Sequence, residues 1–278
     1  MPITSLDGYI ASAKQQLTIS KAASRVSVAA AWFSVFDLAG NPGAGVLAGS
    51  SVAAGVVPSG SAGTLTAGVP VVNNFGASTQ GQLAVVDFGN TVAARMVVAD
   101  CLFKAGAYAF NAAQTLAAQP SYASRIPLQN AAADYTGTQI WIEAVTAFTG
   151  NPSVAVTYTN QAGVAGRSTG AFATGSALTV GRMMQLPLQA GDTGVQKIES
   201  VTATVATVGT FNVLVLRTLW NGRVRLANDG DVHGLDRTGL PQVFDNSAAA
   251  GASALMLLVN ADSTSTGIPE VWLEVASG

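Results

Sequence analysis

Apolar residues recur at helical spacing near the start of this chain. Over residues 4–19, Thr4 and Asp7 form a capping pair of the kind that begins a helix. The apolar positions that follow return every three or four residues and share one helical face: Leu6, Tyr9, Ile10, Ala13 and Leu17. The spacing predicts one amphipathic helix, whose apolar face packs either on its own domain or on a partner.

Short β-type runs separated by Gly, Pro and Ser follow this helix. Residues 25–40 indicate one or two strands. Three further runs have strand-like patterns: 63–72, 81–88 and 91–103. Residues 50–63 are predicted to be loops, or extended arms that lie on a neighbouring molecule, and residues 110–119 to hold a helical turn.

Strict alternation sets in with the second half of the chain. In the stretch 138–148, Ile140 and Ile142 fall on one face of a strand while Trp141 and Glu143 fall on the other. Further runs of strand length follow without helical stretches between them: 153–159, 167–174, 182–189, 195–207, 210–220, 223–229, 254–260 and 269–276. The pattern predicts a mainly β chain: an antiparallel, jelly-roll-like β-sandwich with a short N-terminal helix and extended Gly/Ala-rich loops.

The predicted organisation has three parts. Residues 1–24 form a helical arm, residues 25–127 a β-rich domain with long loops, and residues 128–278 an antiparallel β-sandwich domain. The start of the chain lacks the basic residues and the apolar run of a signal peptide. Gly and Pro interrupt the uncharged stretches, so we expect no membrane-spanning helix.

Composition changes the picture by making charge scarce. The chain is 49% apolar and 10% charged, whereas soluble domains average about 25% charged residues. Few charges make a free surface prone to association. We therefore expect a surface that neighbouring subunits cover, as in an oligomer or a permanent assembly.

The net charge of −2 gives no electrostatic footprint for nucleic acid. Arg217, Arg223 and Arg225 form the one basic cluster of the sequence, and Asp229 and Asp231 follow closely. A solvated or interface hairpin is the leading interpretation of this cluster, with a phosphate-binding patch as the alternative.

Residues 226–241 form the loop richest in polar side chains, and their spacing resembles a calcium-binding loop. Counting from Asp229 places Asp231 at position 3, His233 at position 5 and Gly234 at position 6. Position 12, which requires a bidentate Glu, is a leucine. An EF-hand is therefore excluded, and a looser calcium site between Asp229 and Asp236 is left as an alternative.

Acid–base catalysis would have to centre on His233, the single histidine. A triad with Asp231 or Asp236 needs a serine on a sharp strand-to-helix elbow, and the sequence predicts no such elbow. The single cysteine, Cys101, has apolar neighbours and is predicted to be buried. One Cys and one His cannot supply a zinc site.

Two further patterns could carry chemistry. Glu143 and Glu199 lie on predicted strands, and a glycosidase would need such carboxylates about 5–9 Å apart. The four tryptophans lie in apolar runs and are predicted to pack in cores, whereas a carbohydrate platform would need them exposed: Trp32, Trp141, Trp220 and Trp272. We predict a protein without catalytic residues, metal ligands or a cofactor.

The stretch 153–170 combines an alternating run, an Asn160–Gln161 turn and one arginine. Val154, Val156 and Tyr158 fall on one face of a strand, and the Gly-containing turn reverses the chain. Arg167 follows as a single charge, for which a structural salt bridge with a carboxylate is favoured over a substrate clamp. The hairpin is predicted to be architectural.

This hairpin also carries a resemblance. The turn Tyr158–Thr159–Asn160–Gln161 with Gly166–Arg167, and the segment Leu186–Pro187–Leu188–Gln189–Ala190–Gly191–Asp192, resemble a recurring pattern in structural proteins of tailed-bacteriophage virions. The resemblance covers residues 120–278 and is closest to capsid decoration (cement) proteins.

The resemblance implies a virion component on the capsid surface, made in the host cytoplasm. It would be a homo-oligomer, often a trimer, that binds the major capsid protein and stabilises the assembled head lattice, with no nucleic-acid or membrane partner. The partner-binding candidates are Leu6, Tyr9, Ile10 and Leu17. A tail, baseplate or head-fibre component is the first alternative, and a glycan-binding adhesin or depolymerase is the second.

Overall fold

The computed structural model describes residues 3, 5–63, 66–76, 80–111, 113–175, 178–204, 208–234 and 240–277. Thr4 and Asp236, both named above, lie outside these ranges. The helix α1 spans Leu6–Ala11, and a short 3-10 helix spans Ala123–Arg125. The first strands are β1 Lys14–Lys21, β2 Trp32–Ser34, β3 Gly40–Asn41, β4 Gln80–Asn90, β5 Ala94–Ala109, β6 Gln114–Thr115, β7 Leu128–Gln129, β8 Ala132–Ala133 and β9 Thr138–Thr146. The later strands are β10 Ser153–Asn160, β11 Arg167–Ser168, β12 Phe172–Ala173, β13 Arg182–Gln185, β14 Val195–Thr204, β15 Thr210–Val224, β16 Asp229–Gly234, β17 Gln242–Phe244, β18 Leu255–Ala261 and β19 Glu270–Ser277.

The predicted fold class is confirmed: the chain is mainly β, with antiparallel sheets, one barrel-like closed sheet and one short N-terminal helix. Among the described residues, no helix is long and apolar enough to cross a membrane.

The chain divides into two compact units. The first comprises residues 1–46, 58–100 and 218–278, and the second comprises residues 47–57 and 101–217. The chain passes between the units inside β5 and returns inside β15. The bounds of the units therefore differ from the predicted ranges 1–24, 25–127 and 128–278.

The first unit contains a six-stranded sheet in the order β16-β4-β19-β1-β3, with β17 also paired to β4. In the same unit, β18 pairs with β2 and with residues 94–100 of β5. Alternate residues of β19 show why the sheet packs on one face, because Val271, Leu273 and Val275 are buried while Glu270 and Trp272 are exposed. The buried face joins one apolar core with residues from β4, β5 and β18.

The second unit contains a sheet in the order β11-β10-β14-β6, with β12 also paired to β10. Within this unit, β9 pairs with β13 and with β15. Val154, Val156 and Tyr158 of β10 are fully buried, as the predicted alternation requires, and they belong to a second apolar core.

The predicted helix over residues 4–19 is wrong beyond Ala11. Residues 14–21 form β1, which pairs with β19 from Lys14↔Ala276 to Ser20↔Glu270. Burial along β1 alternates, with Leu17 and Ile19 buried between more exposed neighbours. Backbone pairing over seven residues and burial with period two outweigh the helical spacing that the isolated segment shows.

Residues 25–40 contain β2 and the first residue of β3, which agrees with the one or two strands predicted there. Other predicted elements differ from the structure. The described part of 63–72 forms loop contacts, such as Val72 N to Gly60 O at 3.0 Å, instead of a strand. The predicted helical turn in 110–119 is wrong, because β6 forms there by pairing with β14. Part of the predicted polar loop 226–241 is β16, which pairs with β4.

Residues 50–63 form loops, as one of the two predictions had it. Val56 makes an isolated bridge to Lys104, with backbone hydrogen bonds of 2.9 Å in both directions. This part of the loop is thus held by its own unit.

Candidate functional site

Helix α1 begins where Ser5 caps it. The Ser5 hydroxyl accepts a hydrogen bond from Gly8 N at 3.0 Å, and Asp7 places negative charge in the first turn, where the helix dipole favours it. Lys14 Nζ donates to the carbonyl of Tyr9 at 2.9 Å and lies 4.6 Å from the centroid of the Tyr9 ring. A six-residue helix is marginal alone, so these contacts and its attachment to the sheet stabilise it.

Tyr9 attaches the helix to the six-stranded sheet. Its hydroxyl donates to Glu274 Oε1 of β19. This hydrogen bond, together with burial, raises the pKa of Tyr9 to about 12. Just before the helix, Ile3 N donates to Gln82 Oε1 of β4 at 2.9 Å. The start of the chain is therefore attached to the sheet through Ile3, before the helix, and through Tyr9, within it.

The apolar face of α1 is nevertheless open. None of its residues is buried, and Leu6 and Ile10 are 47% and 64% exposed. Of the four partner-binding candidates, Leu6, Tyr9 and Ile10 thus share one short helix. Leu17 does not belong with them, because it is buried in β1 at 3% exposure and faces the core. As a surface contact, Leu17 is a wrong prediction.

A groove of about 350 Å³ opens on the exposed face of the same sheet. We call it the acidic groove, and its acidic side chains are Asp87, Asp229 and Glu270. Trp272 lies directly opposite Asp87 in the pairing of β19 with β4, and its indole Nε1 donates to Glu270 Oε1 at 2.9 Å.

Glycines form the floor of the acidic groove. Gly89 of β4 pairs with Gly230 of β16 on one side and with Glu270 on the other. A Cβ atom at Gly230 would lie 2.7 Å from the carbonyl oxygen of Phe88, so the close approach of these strands requires glycine there. The absence of side chains at this pair leaves space in the groove that Trp272 also lines.

Trp272 corrects the prediction that all four tryptophans lie in cores. Trp141 and Trp220 are buried, at 7% and 4%, and Trp32 is half-buried, but Trp272 is 46% exposed. The alternation of 269–276 already contained this information, since Glu270, Trp272 and Glu274 share one face.

A second groove, of about 560 Å³, is lined by three arginines of the first unit. We call it the arginine groove, and its cations are Arg95, Arg223 and Arg225, with Trp32 among the other lining residues. The predicted cluster is thus divided: Arg223 and Arg225 are exposed here together with Arg95, whereas Arg217 is buried, at 8%, in the second unit.

His233 and Asp231 also line the arginine groove. The imidazole Nδ1 accepts a hydrogen bond from Trp220 Nε1 at 3.1 Å, and Nε2 lies 3.7 Å from Asp231 Oδ2. The ring packs edge-on against Phe88, with centroids 4.9 Å apart. His233 is therefore a residue of β16 that packs against aromatic rings of its own unit. The described residues hold no group of three metal-ligating side chains, and Asp236 is not among them.

Arg167 makes the salt bridge that the sequence predicted. Its Nε lies 2.9 Å from Asp192 Oδ2, and Asp192 also accepts hydrogen bonds from the Tyr158 hydroxyl and from Asn160 Nδ2, both at 2.7 Å. The Arg167 hydrogen bond is the main cause that lowers the pKa of Asp192 to about 2. Arg167, the one charged residue of the stretch 153–170, therefore stabilises the hairpin itself.

Glu143 and Glu199, the two candidates for a catalytic carboxylate pair, belong to different hydrogen-bond networks. Glu143 is fully buried, accepts from Asn212 Nδ2 at 2.8 Å and lies 3.6 Å from Lys104 Nζ. Glu199 accepts from the Thr159 hydroxyl at 2.7 Å and from Gly166 N at 3.1 Å, next to the hairpin turn. Cys101 is buried, as predicted.

Comparisons with known proteins give weak similarity to viral capsid proteins. No family model matches the chain, and no curated protein matches it significantly. Among solved structures, the infectious bursal disease virus Gx strain is similar at 10% identity and a TM-score of 0.20, over 96% of this chain and 81% of that one. A mutant VP2 protein of the same virus, from derived T=1 particles, is similar at 8% identity and a TM-score of 0.17, over 95% and 77% of the two chains. The Gt strain of that virus is similar at 7% identity and a TM-score of 0.19, over 96% and 81%. Similarity at this level supports no inference about function.

Proposed function

We propose that this chain is a structural protein of a virus particle, with a mechanical instead of a catalytic role. In its specific form, the proposal is a capsid decoration protein of a tailed bacteriophage, which binds the assembled head lattice from outside and stabilises it. The resemblance of residues 120–278 supports the phage assignment. The low charge of the chain and its antiparallel β fold fit a subunit that neighbours cover.

The open face of α1 is the single observation that carries the docking part of the proposal. Leu6 and Ile10 are exposed on a helix that is capped by Ser5 and attached through Tyr9 to the sheet. A contact that is already ordered loses little conformational entropy on binding. Apolar side chains presented in this way suit a hydrophobic recess on a capsid subunit.

Multivalency would supply the strength of the attachment. Two apolar side chains bind weakly, but a homotrimer that presents three copies of α1 to the major capsid protein would gain avidity from each additional contact. The proposed location is therefore the capsid surface, with the oligomer placed where several capsid subunits meet.

Substitution tests the role of α1 better than deletion. Removing residues 1–24 would remove β1, which pairs with β19 inside the sheet. We propose Leu6→Ser with Ile10→Ser in the full chain, mixed with purified heads that lack the protein. We expect co-sedimentation with heads to fall at least about tenfold, with circular dichroism unchanged.

A matched control replaces two exposed apolar residues of the other unit, Leu128→Ser with Val164→Ser, which are 61% and 51% exposed. The control should bind heads like the unmodified chain. Undiminished binding by the α1 variant would refute the role of the helix. Equal loss in both variants would indicate a general loss of apolar surface and would also refute it.

A tail, baseplate or head-fibre location is the alternative within the same class. The copy number in purified virions distinguishes them: a value that matches the lattice of the head supports decoration, and a value that matches a single small ring supports the tail.

A further inference from the structure

The first unit carries two grooves of opposite charge. The acidic groove contains three carboxylates, Asp87, Asp229 and Glu270, and the arginine groove contains three arginines and one carboxylate, Asp231. The whole chain has 13 Lys and Arg and 15 Asp and Glu residues. In a chain with so few charges, three carboxylates in one groove and three arginines in another are unusual. Like charges in one groove repel each other, and a partner of opposite charge that binds there relieves this repulsion.

Strand β16 lies between the two grooves. Asp229 and Gly230 line the acidic groove, whereas Asp231 and His233 line the arginine groove. Pairing of β16 with β4 fixes their positions. Because both grooves are built on paired strands, one groove cannot close on the other within the same copy.

The charges of both grooves are available to a partner. Across the residues that the structure describes, Asp87, Arg95 and Arg225 form no salt bridge. Arg223 lies 3.4 Å from Asp262, but the two side chains are 53% and 52% exposed. Ion pairs at such exposure contribute little to stability, so either side chain can form a new pair with a partner.

The acidic groove also offers a surface for a guanidinium group. The Trp272 indole is 46% exposed, and its hydrogen bond to Glu270 fixes its orientation. A guanidinium binds favourably over an indole face and donates in parallel to carboxylates. Trp and Arg are also the residues that dominate binding energy at protein interfaces.

We propose that the partner is a second copy of this chain. The arginines of its arginine groove contact the carboxylates of the acidic groove of the first copy. The contact joins two different surfaces, so each copy still has one groove free to bind the next copy. Contacts of this kind close into rings when the rotation between copies allows it. The inference deepens the homo-oligomer part of the proposed function and rests on that part alone.

Charge reversal in two complementary variants tests this contact. The first variant is Arg223→Glu with Arg225→Glu, and the second is Asp87→Arg with Glu270→Arg. All four side chains are exposed, so we expect both variants to fold. Sedimentation velocity of the purified full chain measures the oligomer, without particles.

The unmodified chain should form a closed oligomer that dissociates at high salt, because exposed charge pairs are screened. Each variant alone should associate at least about tenfold more weakly, since like charges then face each other. Mixed in equal amounts, the variants should associate again, because the first keeps its acidic groove and the second keeps its arginine groove. Lys197→Glu, an exposed charge reversal in the second unit, should leave the oligomer unchanged.

Three results would overturn the proposal: a monomeric unmodified chain, variants that still form the full oligomer, or a mixture that does not associate. A fourth result would also overturn it: the unmodified chain binds saccharides on a glycan array, and Trp272→Ala abolishes that binding without affecting the oligomer. The acidic groove would then be a saccharide site. An oligomer that forms through the grooves but does not bind heads would support this proposal and refute decoration, so the two failures are distinguishable.

Discussion

Arg167, at the start of β11, and Asp192, in the loop before β14, form a salt bridge with 2.9 Å between Nε and Oδ2. Asp192 also accepts hydrogen bonds from the Tyr158 hydroxyl and Asn160 Nδ2. A carboxylate with three such donors favours its ionised form. The stability of the hairpin should therefore depend on the protonation of Asp192, and so on pH.

Acid should weaken the fold through Asp192. Its pKa is about 2 in the folded chain and 3.8 ordinarily, so the ionised carboxylate stabilises the folded state above about pH 4. This stabilisation is lost as the pH falls from about 4 to 2. We expect Asp192→Asn to lower the melting temperature at pH 7 and to flatten its dependence on pH in this window. Thermal unfolding of both proteins between pH 2 and 7 measures the effect, and parallel curves would contradict it.

Leu6 in α1 and Leu17 in β1 should contribute very differently to the stability of the fold. Leu17 is 3% exposed in β1, so Leu17→Ala should destabilise the fold by about 2–5 kcal/mol. Leu6 is 47% exposed, and Leu6→Ala should change stability by less than about 0.5 kcal/mol. Urea unfolding of both variants measures the difference. Equal costs would mean that the two leucines share one environment, as the continuous helix required.

Leu17 shows why the helix predicted from the sequence was too long. Leu17 fits both periods, since it lies on the apolar face of a helix that starts at Leu6 and also alternates with Ile19 in a strand. The choice depends on pairing with Leu273, which is far away in sequence. Local spacing carries no information about such a partner.

The hairpin around Arg167 could be predicted because its evidence is local. Alternation along residues 153–160 set the buried face, and the Asn160 turn set the reversal. The acidic groove could not be predicted in this way. It depends on Gly89 lying between Gly230 and Glu270, and such a register is fixed only when three distant strands pair.

Loss of the Tyr9 hydroxyl should loosen α1 without unfolding β1. Tyr9→Phe removes the hydrogen bond to Glu274, which should cost about 0.5–1.5 kcal/mol. Hydrogen exchange should become faster in residues 6–11 and stay unchanged in residues 14–21. Faster exchange throughout both segments would show that α1 and β1 open together, against this expectation.

The same hydroxyl should contribute to stability at alkaline pH. The pKa of Tyr9 is about 12 in the folded chain and 10.0 ordinarily, so its neutral form stabilises the fold below about pH 10. This contribution is lost as the pH rises from 10 to 12. Urea unfolding across that window should show a weaker pH dependence in Tyr9→Phe. Tyr158, whose pKa is raised to about 12 mainly by burial, should keep part of the dependence in the variant.

Lys104 and Glu143 form a buried ion pair that should be costly to break. Their side chains are 6% and 0% exposed, with Nζ and Oε2 3.6 Å apart, and Asn212 Nδ2 donates to the same carboxylate oxygen. Lys104→Met would leave the Glu143 charge buried without its cation. Removing one partner of a buried pair typically costs about 3–5 kcal/mol, because the remaining charge is no longer compensated.

Neutralising both partners should recover most of that loss. In Lys104→Met with Glu143→Gln, the buried charge is gone, and the Gln amide oxygen can still accept from Asn212. Urea unfolding of the two single variants and the double variant completes the cycle. Arg223→Met, which breaks the exposed pair with Asp262, is the control and should cost less than about 1 kcal/mol. A double variant as unstable as the sum of the single variants would contradict the argument, since the cost would then come from lost packing of each side chain instead of an uncompensated charge.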